Sequence, residues 1–359
     1  MQHELAQDIS CIGIHYPYKI NKLYSQPMDP VKFAVAGCGH IGKRHAALIV
    51  QNPHARLTAM IDTDPVTQAD AQYNVPVYTS VESFLDSGTE ADVVVIATPN
   101  AYHAGQALQV LHGGRHVVIE KPMTLKKQDA EKIIYTALQL HKNVFVVMQN
   151  RYSAPSLWLK ELVEKDQLGN IFFVQINCFW NRDERYYTGG SWHRSKALDG
   201  GILFTQFSHF IDLLYWTFGD IQNITSRMAS FNHRHLNEFE DTGMVTFDFV
   251  NGGMGCIHFS TSVWDKNLES SITVIGENGS IKIGGQYMDN IEYCHIKDYD
   301  NSIIHTINST NKNAASNHVH TIQNVIDVIR SSSAITTNAL EGLKVVDIIE
   351  RIYSAGSRQ

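Results

Sequence analysis

Three groups of residues in this chain combine types and spacings that can do chemistry. In Glu120-Lys121-Pro122 a lysine stands between a carboxylate and a proline. An ammonium so placed can reach a substrate oxygen, favour an alkoxide as a carbinol carbon loses hydride, and lower the pKa of a neighbouring base or acid. Pro122 is a candidate for a cis peptide. In Gly200-Gly201-Ile-Leu-Phe-Thr205-Gln206-Phe-Ser-His209-Phe-Ile-Asp212, helical spacing puts Thr205, His209 and Asp212 on one face. A histidine is a natural acceptor for an alcohol proton near neutral pH, and Asp212 is placed to orient its ring. The same pair also reads as a buried core histidine and a structural hydrogen bonder. The third group is Gly37-Cys38-Gly39-His40-Ile41-Gly42, which has the spacing of a dinucleotide-binding turn.

The elements around that turn are in the right order to use it. Phe33-Ala-Val-Ala reads as a strand running into Gly37, and a helical stretch follows. Gly37 allows the tight turn, Gly39 lets the backbone approach a pyrophosphate, and Gly42 lets the helix pack closely on the sheet. His40 and Ile41 open that helix, whose N-terminus faces the phosphates. The next strand, 57–61, ends in Asp62, where a ribose 2′-hydroxyl would bind. A carboxylate there repels a 2′-phosphate, so NAD is favoured over NADP, with Lys43 and Arg44 tempering the preference.

From 31 to 150 strands and helices alternate, which predicts a Rossmann parallel sheet with helices on both faces. A helical stretch is expected at 66–73, then residues 77–78 leading into a short helix. A buried strand at 91–97 ends at Thr98-Pro99-Asn100, with Tyr102-His103 opening a helix. A strand at 116–119 closes on Glu120, Thr124 caps a helix over 125–140, and a strand covers 143–148. Strand C-termini line the ligand crevice of such a sheet, so Thr98, Pro99, Asn100, His103, Glu120 and Lys121 join the glycine turn and Asp62 as cofactor contacts.

Beyond Arg151 the pattern changes. A helix at 155–164 precedes strands at 171–179, 224–231, 244–249, 255–262, 271–275 and 280–283, divided by turns such as Asn251-Gly-Gly253 and Glu277-Asn-Gly279. This predicts a C-terminal α+β domain on a large open mixed or antiparallel sheet, with one long helix over 200–218. Two last helices, 317–331 and 339–354, are free to pack back on the first domain. The fold class is thus α/β, divided as a leader over 1–30, a NAD-binding Rossmann domain over 31–150, and a substrate-binding and oligomerisation domain over 151–359. The leader shows no convincing signal peptide and reads as a flexible extension or as sequence upstream of a start at Met28.

Composition narrows the function classes. At 359 residues, 43% hydrophobic and 18% charged, the chain has the make-up of a soluble two-domain protein, without an apolar run long enough for a membrane span. A net charge of −7 and no clustered basic block argue against nucleic-acid or anionic-membrane partners. Five widely spaced cysteines read as free thiols in a reducing cytoplasm. Of the eighteen histidines, even the close pairs His233/His235 and His318/His320 lack an evident ligand set, so no metal is expected. Arg151 and Arg182 are candidates for bidentate pairing with a uronate or a diphosphate. Tyr152, Tyr186, Tyr187 and Trp192 are candidates for stacking on a sugar or base.

Taken in order, Gly37-x-Gly39-x-x-Gly42, Thr98-Pro-Asn100-x-x-His103, Glu120-Lys121-Pro122, the Gly-Gly…His209-x-x-Asp212 helix and Glu240-Asp-Thr-Gly243 resemble the Gfo/Idh/MocA family of sugar oxidoreductases, from about Val31 to Tyr353. The resemblance implies an NAD(P)-binding first domain and an open sheet that serves substrate and oligomer contacts, hence a homodimer or homotetramer. It also implies catalytic roles for Lys121 and His209. Where many members carry an aspartate four residues before the histidine, this chain has Thr205, which can bond a hydroxyl but cannot act as a carboxylate base. Asn150-Arg-Tyr152 and the Trp192…Leu198-Asp-Gly-Gly201 approach are similar to the branch that oxidises nucleotide-linked sugars, such as UDP-N-acetylglucosaminuronate 3-dehydrogenases. Arg151, Tyr152, Trp192, Thr205 and Asp212 are then the substrate contacts, for a sugar or UDP-sugar whose secondary ring hydroxyl becomes a ketone. The alternatives are an NAD-dependent glycosidase that works by transient oxidation, and a non-catalytic sugar or NAD sensor, which would need neither Lys121 nor His209.

Overall fold

The computed structural model describes residues 29–64, 73–188, 191–310, 317–330 and 333–356. The leader, up to residue 28, and the helical stretch expected at 66–73, apart from its last residue, lie outside them. Strands β1 (Val31–Ala36), β2 (Ala55–Ile61), β3 (Val77–Tyr78), β4 (Val93–Ile96), β5 (His116–Ile119) and β6 (Val144–Val146) form one parallel sheet, ordered β3-β2-β1-β4-β5-β6. The Val-Val-Val-Ile run of β4 is buried throughout, as a parallel strand covered on both faces requires. Along β1, Phe33 and Val35 enter one core layer while Ala34 and Ala36 enter the other. The strand order reverses between β1 and β4, and the cleft above that point is the natural ligand crevice.

Helices α1 (His40–Gln51), α2 (Val81–Asp86), α3 (His103–His112) and α4 (Lys127–Gln139) accompany these strands. Thr124 does not cap α4 as expected. The helix starts later, after Lys126, and the Thr124 hydroxyl donates to the Lys126 carbonyl at 2.8 Å.

Helix α5 (Ala154–Glu164) begins beneath Ser153, whose hydroxyl accepts the Ser156 N–H, with Pro155 in its first turn. Strands β7 (Ile171–Phe179), β8 (Ile221–Ala229), β9 (Thr242–Phe249), β10 (Met254–Ser260), β11 (Glu269–Gly276), β12 (Gly279–Gly284) and β13 (Asn290–Ile296) build a second sheet, ordered β13-β12-β11-β7-β10-β9-β8. Neighbours in it run antiparallel except β7 and β10. The remaining longer helices are α6 (Ser208–Phe218), α7 (Ser302–Thr310), α8 (His318–Arg330) and α9 (Ala339–Gly356).

Strand β13 and helix α7 escape the sequence reading. β13 is an edge strand with exposed Glu292 and Tyr293 in succession, so its alternation is blurred. The single helix expected over 200–218 is in fact two pieces. Gly200 and Gly201 take φ of +93° and +118°, so helix begins only at Ile202, and a break at Gln206–Phe207 separates that first turn from α6. Phe207 and Phe210 use the break to pack edge-on against Trp180.

Helices α5, α6 and α9 cover one face of the second sheet. The opposite face is open and carries exposed Phe172, Met244, Met254 and Tyr293. Helix α8 returns to the first sheet, where Ile322, Val325 and Ile326 join the layer of Phe33, Val35 and Ile49. Among the described residues no helix is long and apolar enough to cross a membrane.

Candidate active site

The glycine turn is a cradle shaped by missing side chains. Gly37 has φ +91°, a region that side-chain-bearing residues avoid, and a Cβ on it would stand 2.5 Å from the Ala97 carbonyl oxygen. A Cβ on Gly42 would fall 1.7 Å from the Gly37 carbonyl oxygen. On Gly39 it would meet nothing within 4 Å, so this side of the turn is open. Gly39 is the N-cap of α1 and no side chain caps it, which leaves the N–H groups around His40 and Ile41 available to an anion. Asp62, at the end of β2, accepts N–H bonds from Cys38 at 2.6 Å and Asp64 at 3.0 Å, which fixes its carboxylate beside the turn. These features fit a dinucleotide, with its pyrophosphate at Gly39 to Gly42 and an adenosine ribose at Asp62.

The loops after β4 and β5 are braced to one another. His103 is buried, its ring nitrogens 2.8 Å from the Pro122 carbonyl and 2.9 Å from that of Thr98, and burial pulls its pKa down. The Lys121–Pro122 peptide is cis. Asn100 donates through its side-chain amide to the Asp199 carbonyl and to Thr205 Oγ1, both at 2.8 Å. Both ring nitrogens of His103 and the Nδ2 of Asn100 are therefore engaged within the protein. Thr98 keeps its place at the strand end, its hydroxyl donating to Gln106 Oε1 at 2.6 Å.

Lys121 projects from the end of β5 to donate to the Thr205 carbonyl at 2.6 Å. Burial lowers its pKa, against the pull of Glu120 and Asp199. Burial pushes the Glu120 carboxyl up, but the 2.7 Å hydrogen bond from His45, and then electrostatic interaction with His45, His318 and Lys121, outweigh it and hold it at about 2. His318 Nε2 lies 3.8 Å from the same carboxylate oxygen. The sequence reading that left His318 without a carboxylate is corrected here. His45, Glu120 and His318 form a buried cluster whose atoms lie close enough for a metal, although the 2.7 Å contact is that of a hydrogen bond.

His209 stands in the first turn of α6. The Gln149 amide donates to its Nε2 at 2.9 Å, making Nε2 the lone-pair atom, and its Nδ1 is buried without a hydrogen-bond partner among the described residues. Burial first, and the Lys121 charge second, hold its pKa well below 6.5, so the ring is neutral near pH 7. The break before α6 sets Thr205 apart from His209. Thr205 donates its hydroxyl to Asp199 Oδ1 at 2.7 Å, so a carboxylate does stand beside position 205, supplied by Asp199.

Three expected substrate contacts turn inward instead. Arg151 is 1% exposed and makes a fork with Asp212, Nε to Oδ2 at 2.8 Å and Nη2 to Oδ1 at 2.5 Å, with Glu341 2.9 Å from Nη1. Asp212 therefore orients Arg151, not the His209 ring. Tyr152 is 2% exposed and stacks on His320. Trp192 lies against His193, which meets Tyr186 in turn, so it belongs to an aromatic run beside Asp199. Gln149 and Asp199 are the site residues the sequence reading missed. Gln149 directly follows the strand predicted over 143–148, and Asp199 directly precedes the Gly-Gly pair; those positions were the available signals.

Comparison with known proteins agrees with this geometry. Residues 31–148 match the oxidoreductase family with an NAD-binding Rossmann fold, and residues 157–282 match the GFO/IDH/MocA C-terminal domain. The chain superposes on the WlbA dehydrogenase from Bordetella pertussis, crystallised with NADH and UDP-GlcNAcA, with a TM-score of 0.88 and 31% identity over 92% of this chain and 97% of that one. The WlbA dehydrogenase from Chromobacterium violaceum, bound to the same two ligands, gives 0.85 and 29% over 93% and 95%. An uncharacterized oxidoreductase of Synechocystis is 25% identical over 61% of this chain, and the match spans 60% of that relative's length. With both domain models matched in order around an intact glycine turn, the chain belongs to the GFO/IDH/MocA family of NAD-binding oxidoreductases.

Proposed function

We propose that this chain oxidises a secondary ring hydroxyl of a nucleotide-linked sugar to a ketone. One juxtaposition carries the reading. Lys121, just past the end of β5 in the sheet that carries the glycine turn, donates to the carbonyl of Thr205 in the segment leading into α6, and His209 in the first turn of α6 lies close enough for the lysine charge to depress its pKa. The 31% identity to a dehydrogenase crystallised with UDP-GlcNAcA supports the substrate class.

Bound NAD supplies the acceptor for the hydride that leaves the carbinol carbon. Lys121, released from the Thr205 carbonyl, donates to the substrate oxygen and stabilises it as the O–H bond breaks. His209 is neutral and takes that proton at Nε2, the lone pair that Gln149 otherwise occupies. Gln149 and the Thr205 carbonyl keep the two groups oriented until substrate arrives. Gly39, His40, Ile41, Gly42, Asp62, Thr98 and Pro99 would line the dinucleotide. The exposed apolar residues on the second sheet suit an interface with another copy, as a homodimer or homotetramer. The thiols of Cys38, Cys178, Cys256 and Cys294 are free, which suits the reducing cytoplasm.

The test is nicotinamide reduction by the purified protein over a panel of free sugars, inositols, sugar phosphates and UDP-sugars, with the product identified by mass spectrometry. Loss of two hydrogens from a UDP-sugar supports the reading. Oxidation of free sugars alone would overturn the nucleotide-linked class, and release of a sugar without net NADH would mark a glycosidase.

A further inference from the structure

His45 stands in the second turn of α1, the helix that begins at the glycine turn, and its side chain is wholly buried. Its Nε2 donates to Glu120 Oε1 at 2.7 Å, and the other oxygen of that carboxylate accepts the Lys121 backbone N–H at 3.2 Å. One buried carboxylate thus joins the cofactor helix to the residue that carries the ammonium. Two ligands of a tetrahedral zinc, each about 2.0–2.1 Å from it, stand roughly 3.3 Å apart, so the shorter contact between His45 and Glu120 belongs to a hydrogen-bonded pair. The proposed proton transfer does not touch His45.

Charge runs along the same line. Glu120 is met by His45 from α1, by His318 Nε2 at 3.8 Å from α8, by His103 from α3 and by Lys121 beside it. Lys121 is met by Glu120, by Asp199 and Arg182 from the second domain, and by His209. A buried ammonium tends to lose its proton, and Glu120 is foremost among the groups that oppose the loss. A buried carboxylate in turn tends to take up a proton, and the hydrogen bond from His45 is foremost among the interactions that prevent it.

We propose that His45 is a positioning residue for the oxidation: acting through Glu120, it fixes the charge and the reach of the Lys121 ammonium against the helix that receives the cofactor. This rests on the dehydrogenase reading and deepens it. The dependence runs from His45 to Glu120 to Lys121, so each link has a variant of its own.

Three variants of the full chain separate the links. His45→Asn sets an amide at the place of Nδ1, short of Glu120, His45→Gln sets one at the place of Nε2, and Glu120→Gln keeps the shape of the carboxylate without its charge. For each, kcat and KM for UDP-GlcNAcA, NAD affinity and Tm are measured. The Lys121 titration midpoint is read from competitive acetylation and mass spectrometry, which needs no substrate. His45→Asn should lower kcat roughly 10- to 100-fold, the cost of a reacting group displaced by about 1 Å, with KM and NAD affinity within a few-fold. His45→Gln should recover most of that loss. Glu120→Gln should move the Lys121 midpoint, and with it the alkaline limb of kcat/KM, down by about one pH unit or more, because an ammonium without its neighbouring anion gives up its proton more easily.

Unchanged kcat in His45→Asn, or a loss that follows Tm and is the same in His45→Gln, would overturn the proposal. Should His45→Asn not fold, an unmoved Lys121 midpoint in Glu120→Gln overturns it. A stoichiometric divalent metal in the purified protein would also overturn it, by making the cluster a metal centre. Should no sugar be oxidised, the dehydrogenase reading fails, and the acetylation midpoint still decides for or against the link from Glu120 to Lys121.

Discussion

Lys121 Nζ donates to the Thr205 carbonyl across 2.6 Å, tying the end of a parallel strand in one sheet to the segment that leads into the helix carrying His209. In the proposed mechanism substrate competes for that ammonium. Lys121→Met and His209→Asn are each expected to lower turnover by roughly 100- to 10,000-fold, the usual range for a positioned proton-transfer group. NAD affinity should stay within a few-fold by calorimetry. Unchanged turnover in both variants would remove these residues from the mechanism.

The glycine turn separates cofactor binding from folding. Gly39→Val adds bulk where nothing lies within 4 Å, so the protein should fold normally yet bind NAD at least about tenfold more weakly. Gly42→Ala puts a carbon 1.7 Å from a backbone oxygen and should cost stability of about 1–3 kcal/mol or more, seen as a lower Tm. Wild-type NAD affinity in Gly39→Val would contradict the placement of the pyrophosphate.

Arg151 and Asp212 are expected to support the fold and leave substrate binding alone. Breaking a buried ion pair by removing one partner strands the other charge and costs about 3–5 kcal/mol. Denaturant unfolding of Arg151→Met should show a loss of that size, with KM unchanged for the folded fraction. A tenfold rise in KM at wild-type stability would return Arg151 to the substrate site.

Burial gives His209 an acid limb of its own. Proton transfer to Nε2 needs the neutral ring, and its pKa lies well below 6.5, so kcat/KM for oxidation should hold as pH falls through 6.5 and decline only below it. Stability carries the same sign. The unfolded chain takes up protons at about 6.5 that the folded His209 and His318 refuse, so ΔG of unfolding should fall as pH drops below that value. An acid limb centred above 6.5 would show that His209 is not the titrating base.

Local signals were enough to read the first sheet. Hydrophobic run length, strand-end position and glycine spacing are properties of neighbouring residues, so β1, β4, β5, the glycine turn and Lys121 could be placed from them. His209 was found by spacing too, although the helix was drawn through the break that sets Thr205 apart. What could not be read is pairing over long separations. Arg151 with Asp212, Glu120 with His45 and His318, and Thr205 with Asn100 each join segments whose meeting depends on how the sheets and helices dock. Arg151 and Arg182 looked alike in sequence. Only the docking of Asp212 and Glu341 neutralises one and leaves the other charged.

Stopped-flow absorbance of the protein mixed with NAD and UDP-GlcNAcA tests the central claim most directly, because a single turnover is visible even where the cofactor never leaves. The account predicts a burst of NADH in the unmodified protein, with a keto sugar recovered on quenching, and no burst in Lys121→Met or His209→Asn. A burst of equal size in those variants, or NAD binding with no NADH from any UDP-sugar, would contradict it.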